Sequence, residues 1–259
     1  MLIDTHTHLD DARYNDDRDL MMARAKESGV EAFITIGCDL ATSRAAVDLA
    51  DHHPVVYASI GVHPHEVIRI GENWYDEFRC LARHPKVVAY GEIGLDYHYN
   101  HSPPEEQRTR FREQLQLARE LKLPVIIHTR EAQSDTITIL REEKASEIGG
   151  VFHCFSGDAW LAKDALDLGF YLSFSGILTF PNAKMLREIA GQIPLDRVLI
   201  ETDCPYLTPV PYRGKRNEPA YVSLVAKQLA AIHAGRQDLS IERIGELTTE
   251  NAKRLFKIG

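Results

Sequence analysis

The chain opens MLIDTHTHLD (residues 1–10), a short apolar run followed at once by His6 and His8, two residues apart. Leu2 to Thr5 is too short for a helix and suits a buried strand with a polar C-terminal end. Seven further runs share this form: Ala32 to Ile36, Val55 to Ile60, Val87 to Gly91, Val125 to Ile127, Val151 to Phe152, Phe170 to Ser173 and Val198 to Glu201. Amphipathic stretches lie between or after them, among them Asp16 to Ser28, Ala41 to His52, Pro104 to Lys122, Ala159 to Leu168, Tyr221 to Ala234 and Ile241 to Phe256. Strand starts recur about every 25 to 35 residues, the length of one βα unit, and apolar runs without alternation suit strands covered on both faces. Eight such units in about 250 residues predict an α/β fold, a (β/α)8 TIM barrel, with residues 1–259 as one barrel domain. A doubly wound open sheet alternates in the same way, but eight strand signals favour closure. Turn residues agree: Gly29 and Gly169 follow helices, and Pro124 introduces the fifth strand.

Composition narrows the function. Of 259 residues, 44% are hydrophobic and 26% charged, ordinary for a soluble enzyme, and no apolar run approaches the roughly 18 residues that cross a bilayer. The Met-Leu-Ile start lacks a basic segment and a long apolar core, so a cytoplasmic location without a secretory leader is expected. Cys38, Cys80, Cys154 and Cys204 are scattered and form no C-x-x-C pair, which predicts reduced thiols rather than a disulfide framework or a zinc knuckle. A net charge of -8 excludes a broad positive field for coating nucleic acid. Attraction to such a polymer would have to be local, from Arg213, Lys215 and Arg216 or from bound cations.

The polar residues at the strand ends form a pattern: His6 and His8 after the first, Glu92 after the fourth, His128 after the fifth, His153 after the sixth and Asp203 after the eighth. A (β/α)8 barrel turns all those ends toward one mouth. His6 and His8 share a strand face and suit one ion, with Asp4 one step deeper as an acceptor for a ring N–H. Glu92, between Gly91 and Gly94, has two oxygens and suits a shared ligand; His128 and His153 suit a second ion. Asp203 has Glu201 two residues before it on the same face, and buried carboxylates require cations or donors. Imidazole and carboxylate ligands without thiolate fit zinc, manganese, magnesium, nickel or cobalt. Two divalent ions there would activate a water and clamp a displacement at phosphorus or carbon, with Asp203 as general base and Glu92 as the other catalytic carboxylate. His63 and His65, in SIGVHPHEV after the third strand, are candidate donors to a substrate phosphate or leaving group, or else exposed loop histidines. Arg130 and Arg216 are candidate phosphate contacts. Cys154 and Cys204 alternate away from the mouth and read as packing.

These segments together resemble the TatD family of metal-dependent deoxyribonucleases, within the amidohydrolase superfamily. The matching pieces are DTHTHLD (4–10), GVHPH (61–65), GEIGLDYH (91–98), HTREA (128–132), HCFSG (153–157), ETDCPYL (201–207) and RNEP (216–219). The resemblance implies a metallo-dependent hydrolase barrel whose two-metal site is formed by His6, His8, Glu92, His128, His153 and Asp203. It also implies cleavage of DNA, often as a 3′ to 5′ exonuclease; the expected substrate is DNA as single strands or strand ends, and the expected state of the chain is a monomer. Cys204 stands where family members frequently carry Ala or Ser. Links of related members to RNA and to D-aminoacyl-tRNA deacylation keep an ester or amide hydrolase as the alternative.

Overall fold

The computed structural model describes residues 1–234 and 239–259. Its strands are β1 (Leu2–Thr7), β2 (Val30–Ile36), β3 (Val56–Ile60), β4 (Val87–Asp96), β5 (Val125–Arg130), β6 (Gly150–Phe152), β7 (Tyr171–Phe174) and β8 (Val198–Ile200). They form one parallel sheet in chain order, β1 through β8. Helices follow the strands: α1 (Arg18–Glu27), α2 (Leu40–His52), α3 (Trp74–Leu81), α4 (Pro104–Leu121), α5 (Gln133–Glu142), α6 (Ala159–Asp167), α7 (Lys184–Ala190), α8 (Val222–His233) and α9 (Ile241–Phe256). This alternation is the (β/α)8 barrel, and the continuous burial of β1 and β4 is what strands covered on both faces require.

Three strands outrun their apolar runs. β1 continues through Thr7, so His6 lies within the strand; β4 continues to Asp96, with Glu92 in its middle; β5 continues to Arg130. The expectation that His6, Glu92 and His128 follow their strands is therefore corrected. The cause is backbone pairing, which does not depend on side-chain polarity: Gly94, Leu95 and Asp96 pair in register with His128, Thr129 and Arg130. The helices α3, α5 and α7 also lie outside the amphipathic stretches named from sequence.

By internal contacts the chain groups into two units. One comprises Met1–Thr35, Cys154–Ala162 and Leu172–Gly259; the other comprises Ile36–His153 and Lys163–Tyr171. In the first, Thr5 Oγ1 donates to the Ile200 carbonyl at 2.9 Å, and Asn251 Nδ2 donates to the Val198 carbonyl at 2.9 Å, fastening β1 and α9 to β8. A Cβ at Gly245 would lie 2.8 Å from the Met1 carbonyl oxygen, so α9 approaches the start of β1 only because that residue is glycine. In the second unit the buried Gln114 of α4 clamps Val62 by both its N–H and its carbonyl, at 2.8 and 3.0 Å. There Phe78 and Tyr90 pack edge to face at 5.8 Å. Among the described residues no helix is long and apolar enough to cross a membrane.

Candidate metal centre

In the first unit, β1 and the segment after β8 build one donor set. The Asp203 N–H donates to the His6 carbonyl at 2.9 Å and the His8 N–H to the Cys204 carbonyl at 2.9 Å, so residues 203–204 run alongside β1. This brings Asp203 Oδ1 to 3.7 Å from His6 Nε2 and 3.4 Å from His8 Nε2. The three side chains each offer a ligand atom within 4.8 Å of the others. Asp203 holds a left-handed backbone with φ of 56°, a conformation Asp tolerates better than most residues.

Supports lie directly beneath. Asp4 accepts from the N–H and hydroxyl of Thr202 at 2.9 and 2.6 Å, and from the His6 N–H at 3.4 Å. Its carboxylate thus braces the backbone before Asp203, where the sequence suggested a ring N–H partner. Burial pushes the Asp4 carboxyl well above the ordinary carboxylate range, against the lowering effect of Thr202. Glu201 is buried and accepts the Cys154 N–H at 2.7 Å. Asn217, wholly buried, donates through its side-chain amide to the carbonyls of Thr202 and Tyr206, while its main-chain carbonyl accepts the Tyr14 hydroxyl at 2.6 Å. Cys204 is buried, and burial pushes its thiol up to about 12, which fits packing rather than ligation.

In the second unit, imidazoles surround one oxygen of Glu92. Oε1 lies 2.7 Å from His153 Nε2, 2.8 Å from His128 Nδ1 and 3.5 Å from His63 Nε2. His63, Glu92 and His128 form a second trio of ligand atoms within 4.8 Å of one another. Burial works to raise Glu92, but the imidazoles of His153, His63 and His128 outweigh it and hold the carboxyl well below its ordinary value. His63 is pulled down to about 4, by burial above all and despite Glu92, so near neutral pH it is an uncharged imidazole fit to bind a cation.

Asp96, the residue sequence reading missed, completes this group. Its Oδ2 lies 3.1 Å from His128 Nε2 and 3.0 Å from His65 Nε2. His128 therefore has a carboxylate at each nitrogen, and although burial lowers its pKa, Asp96 and Glu92 together raise it. Asp96 is itself held well below the carboxylate range: burial raises it, and the bonds from His128 and His65 outweigh that. The signal was available, because Asp96 lies four residues after Glu92 and so on the same strand parity. The apolar run stops at Gly91, so the sequence alone does not show that β4 reaches Asp96. Close glycines make the arrangement possible: a Cβ on Gly94, whose φ is 146°, would sit 2.0 Å from the His128 carbonyl oxygen.

The remaining sequence candidates lie as follows. His65 bonds Asp96, as above. Arg130 is exposed, with its guanidinium 4.7 Å over the Tyr99 ring. Arg216 pairs with Asp17 at 2.7 Å and lies 4.8 Å over Tyr14, tying the RNEP segment to α1. Arg24 holds the next residue but one, Glu218, at 2.7 Å.

Donor sets of histidine and carboxylate without thiolate suit borderline and hard divalent cations. The model for TatD-related DNases matches residues 3–257. The metal-dependent hydrolase YabD of Bacillus subtilis, itself uncharacterized, is 47% identical over the whole of both chains. A 3′-5′ ssDNA/RNA exonuclease, TatD of Salmonella typhimurium, is 34% identical over 99% of each chain. Among solved structures, the TatD homolog YjjV from Escherichia coli superimposes with a TM-score of 0.93 at 28% identity, over 100% of this chain and 98% of that one. Fold, donors and relatives define a barrel-type metal-dependent hydrolase. The chain belongs to the TatD family.

Proposed function

We propose that the protein hydrolyses phosphodiester bonds at the ends of single-stranded nucleic acid, removing nucleotides from the 3′ side. The observation that carries this reading is the pair of imidazole and carboxylate donor sets in a chain 34% identical, over nearly its whole length, to a 3′-5′ ssDNA/RNA exonuclease. His6, His8 and Asp203 would hold one divalent ion, and Glu92 with His128, His153 and His63 a second. Such ions, when bound, supply Lewis acidity toward the phosphoryl oxygens and lower the pKa of a water.

The protein's own groups do the rest. Asp203, 14% exposed, faces solvent enough for its carboxylate to take the proton from the attacking water. His65, 22% exposed and held through Nε2 by Asp96 at 3.0 Å, is the side chain that would contact a phosphate oxygen or the leaving oxygen. The net charge of -8 disfavours long duplexes and suits gripping a strand end through bound cations. The test is a single-stranded oligonucleotide labelled at its 5′ end, incubated with protein stripped by chelator and then with manganese, magnesium, zinc, nickel or cobalt. A ladder of 5′-labelled products shortening with time, abolished by chelator, is expected. Absence of cleavage with every metal, or stronger turnover of D-aminoacyl-tRNA than of DNA, would remove this reading.

A further inference from the structure

We propose that the loop after β4 and the end of β5 carry a stacking subsite for a nucleobase, formed by Tyr99, His101 and Arg130; it rests on the nucleic-acid reading above. Tyr99 and His101 lie nearly parallel, with 9° between their planes and centroids 5.8 Å apart. Arg130 places its guanidinium 4.7 Å over the same tyrosine. All three side chains are exposed, and Tyr99 keeps 51% of its surface in solvent. Exposed aromatic rings with a guanidinium on one ring face are what single-stranded nucleic acid uses: the uncovered ring surfaces and the guanidinium plane stack on any base, and the cation also serves the backbone.

The platform is held rigid from below. Asp96 accepts the N–H groups of His98 and Tyr99 at 3.0 and 2.9 Å, and the Tyr97 N–H donates to the Arg130 carbonyl at 2.9 Å. Gln107 donates to the carbonyls of Asp96 and Ser102 at 3.0 and 2.8 Å, closing the loop that carries Tyr99 and His101. His98, edge-on to Tyr99 at 4.7 Å, is bonded to Glu131 at 2.6 Å. Preorganised rings lose little entropy on binding.

The platform is also continuous with the metal donors. His65 lies 4.6 Å from the His101 ring and 5.5 Å from Tyr99, and on its other side 4.3 Å from His63, which reaches Glu92 at 3.5 Å. Two imidazoles therefore separate the stack from the Glu92 carboxylate. A phosphate at the donors and the base of a nearby nucleotide on Tyr99 fit that sequence of contacts, and Asp96 holds both ends in place.

The test uses single-stranded DNA with phosphorothioate linkages and 2-aminopurine, whose fluorescence is quenched by stacking, at each of the last three 3′ positions in turn. Quenching on binding at one position, lost in Tyr99→Ala and kept in Tyr99→Phe, is expected. With ordinary DNA, Tyr99→Ala should raise KM about 5- to 100-fold with a smaller change in kcat. A substrate abasic at the quenched position should lose a similar factor with the unaltered protein and nothing more with the variant. Equal losses by Tyr99→Ala on normal and abasic strands, or quenching unchanged by it, would overturn the subsite while leaving the nuclease reading intact. A lack of cleavage by the unaltered protein with every metal would overturn both. Circular dichroism melting of both variants excludes misfolding as the cause.

Discussion

Two carboxylates with different neighbours have separable tasks. Asp203→Asn keeps the shape of the side chain but removes its proton-accepting capacity, and hydrolysis should fall about 10²- to 10⁴-fold, read as kcat on labelled DNA at saturating manganese. Asp96→Asn acts through His128, whose Nε2 loses its anionic partner 3.1 Å away. Metal affinity should fall about 10- to 100-fold, measured by calorimetric titration of the stripped protein, while saturating metal restores much of the activity. Asp203 stood out in the sequence because ETDCPYL follows an apolar strand. Asp96 did not, because only the length of β4 shows that it shares a face with Glu92. Arg216 illustrates the reverse: a basic residue in a loop suggests phosphate, and nothing in one dimension shows the Asp17 carboxylate waiting 2.7 Å from it.

At the level of elements, close approach and buried donors set the sensitivity. Gly94→Ala would drive a methyl to 2.0 Å from the His128 carbonyl oxygen, forcing β4 and β5 apart. A loss of about 1–3 kcal/mol in stability, together with impaired metal binding, is expected from chemical denaturation and titration. Asn217→Ala leaves the buried carbonyls of Thr202 and Tyr206 without their side-chain donor, costing about 1–3 kcal/mol and loosening the turn that presents Asp203. Asp17 provides a pH marker outside the metal donors. Its bonds from Arg216, and then from Arg24, pull its carboxyl down to about 2, below its unfolded value. Between the two values the unfolded chain binds more protons, so this stabilisation is present above about pH 4 and is lost as pH falls toward 2. The melting temperature of Asp17→Asn should therefore lie slightly below that of the unaltered protein at pH 6, with the gap narrowing on acidification and in high salt.

For the whole molecule, metal and stability are linked. Ligands that bind only the folded chain stabilise it, by about 2.7 kcal/mol at a free concentration a hundredfold above Kd, so stripping with chelator should lower Tm and manganese should restore it in a concentration-dependent way. The sequence by itself determined the α/β alternation and the strand count, and it pointed to His6, His8, Glu92, His128, His153 and Asp203 as candidate donors, because apolar runs, their spacing and the chemistry of His and Asp are local properties. Only the tertiary structure decided where each strand stops, that Glu92 Oε1 is shared by His128, His153 and His63, and that Asp96 faces both His128 and His65. It also decided that Asn217 braces the turn around Asp203 and that Tyr14 in turn holds Asn217, from about 200 residues away along the chain. The physical reason is that backbone pairing extends strands irrespective of side chain, and a buried polar atom finds its partner across space rather than along the chain.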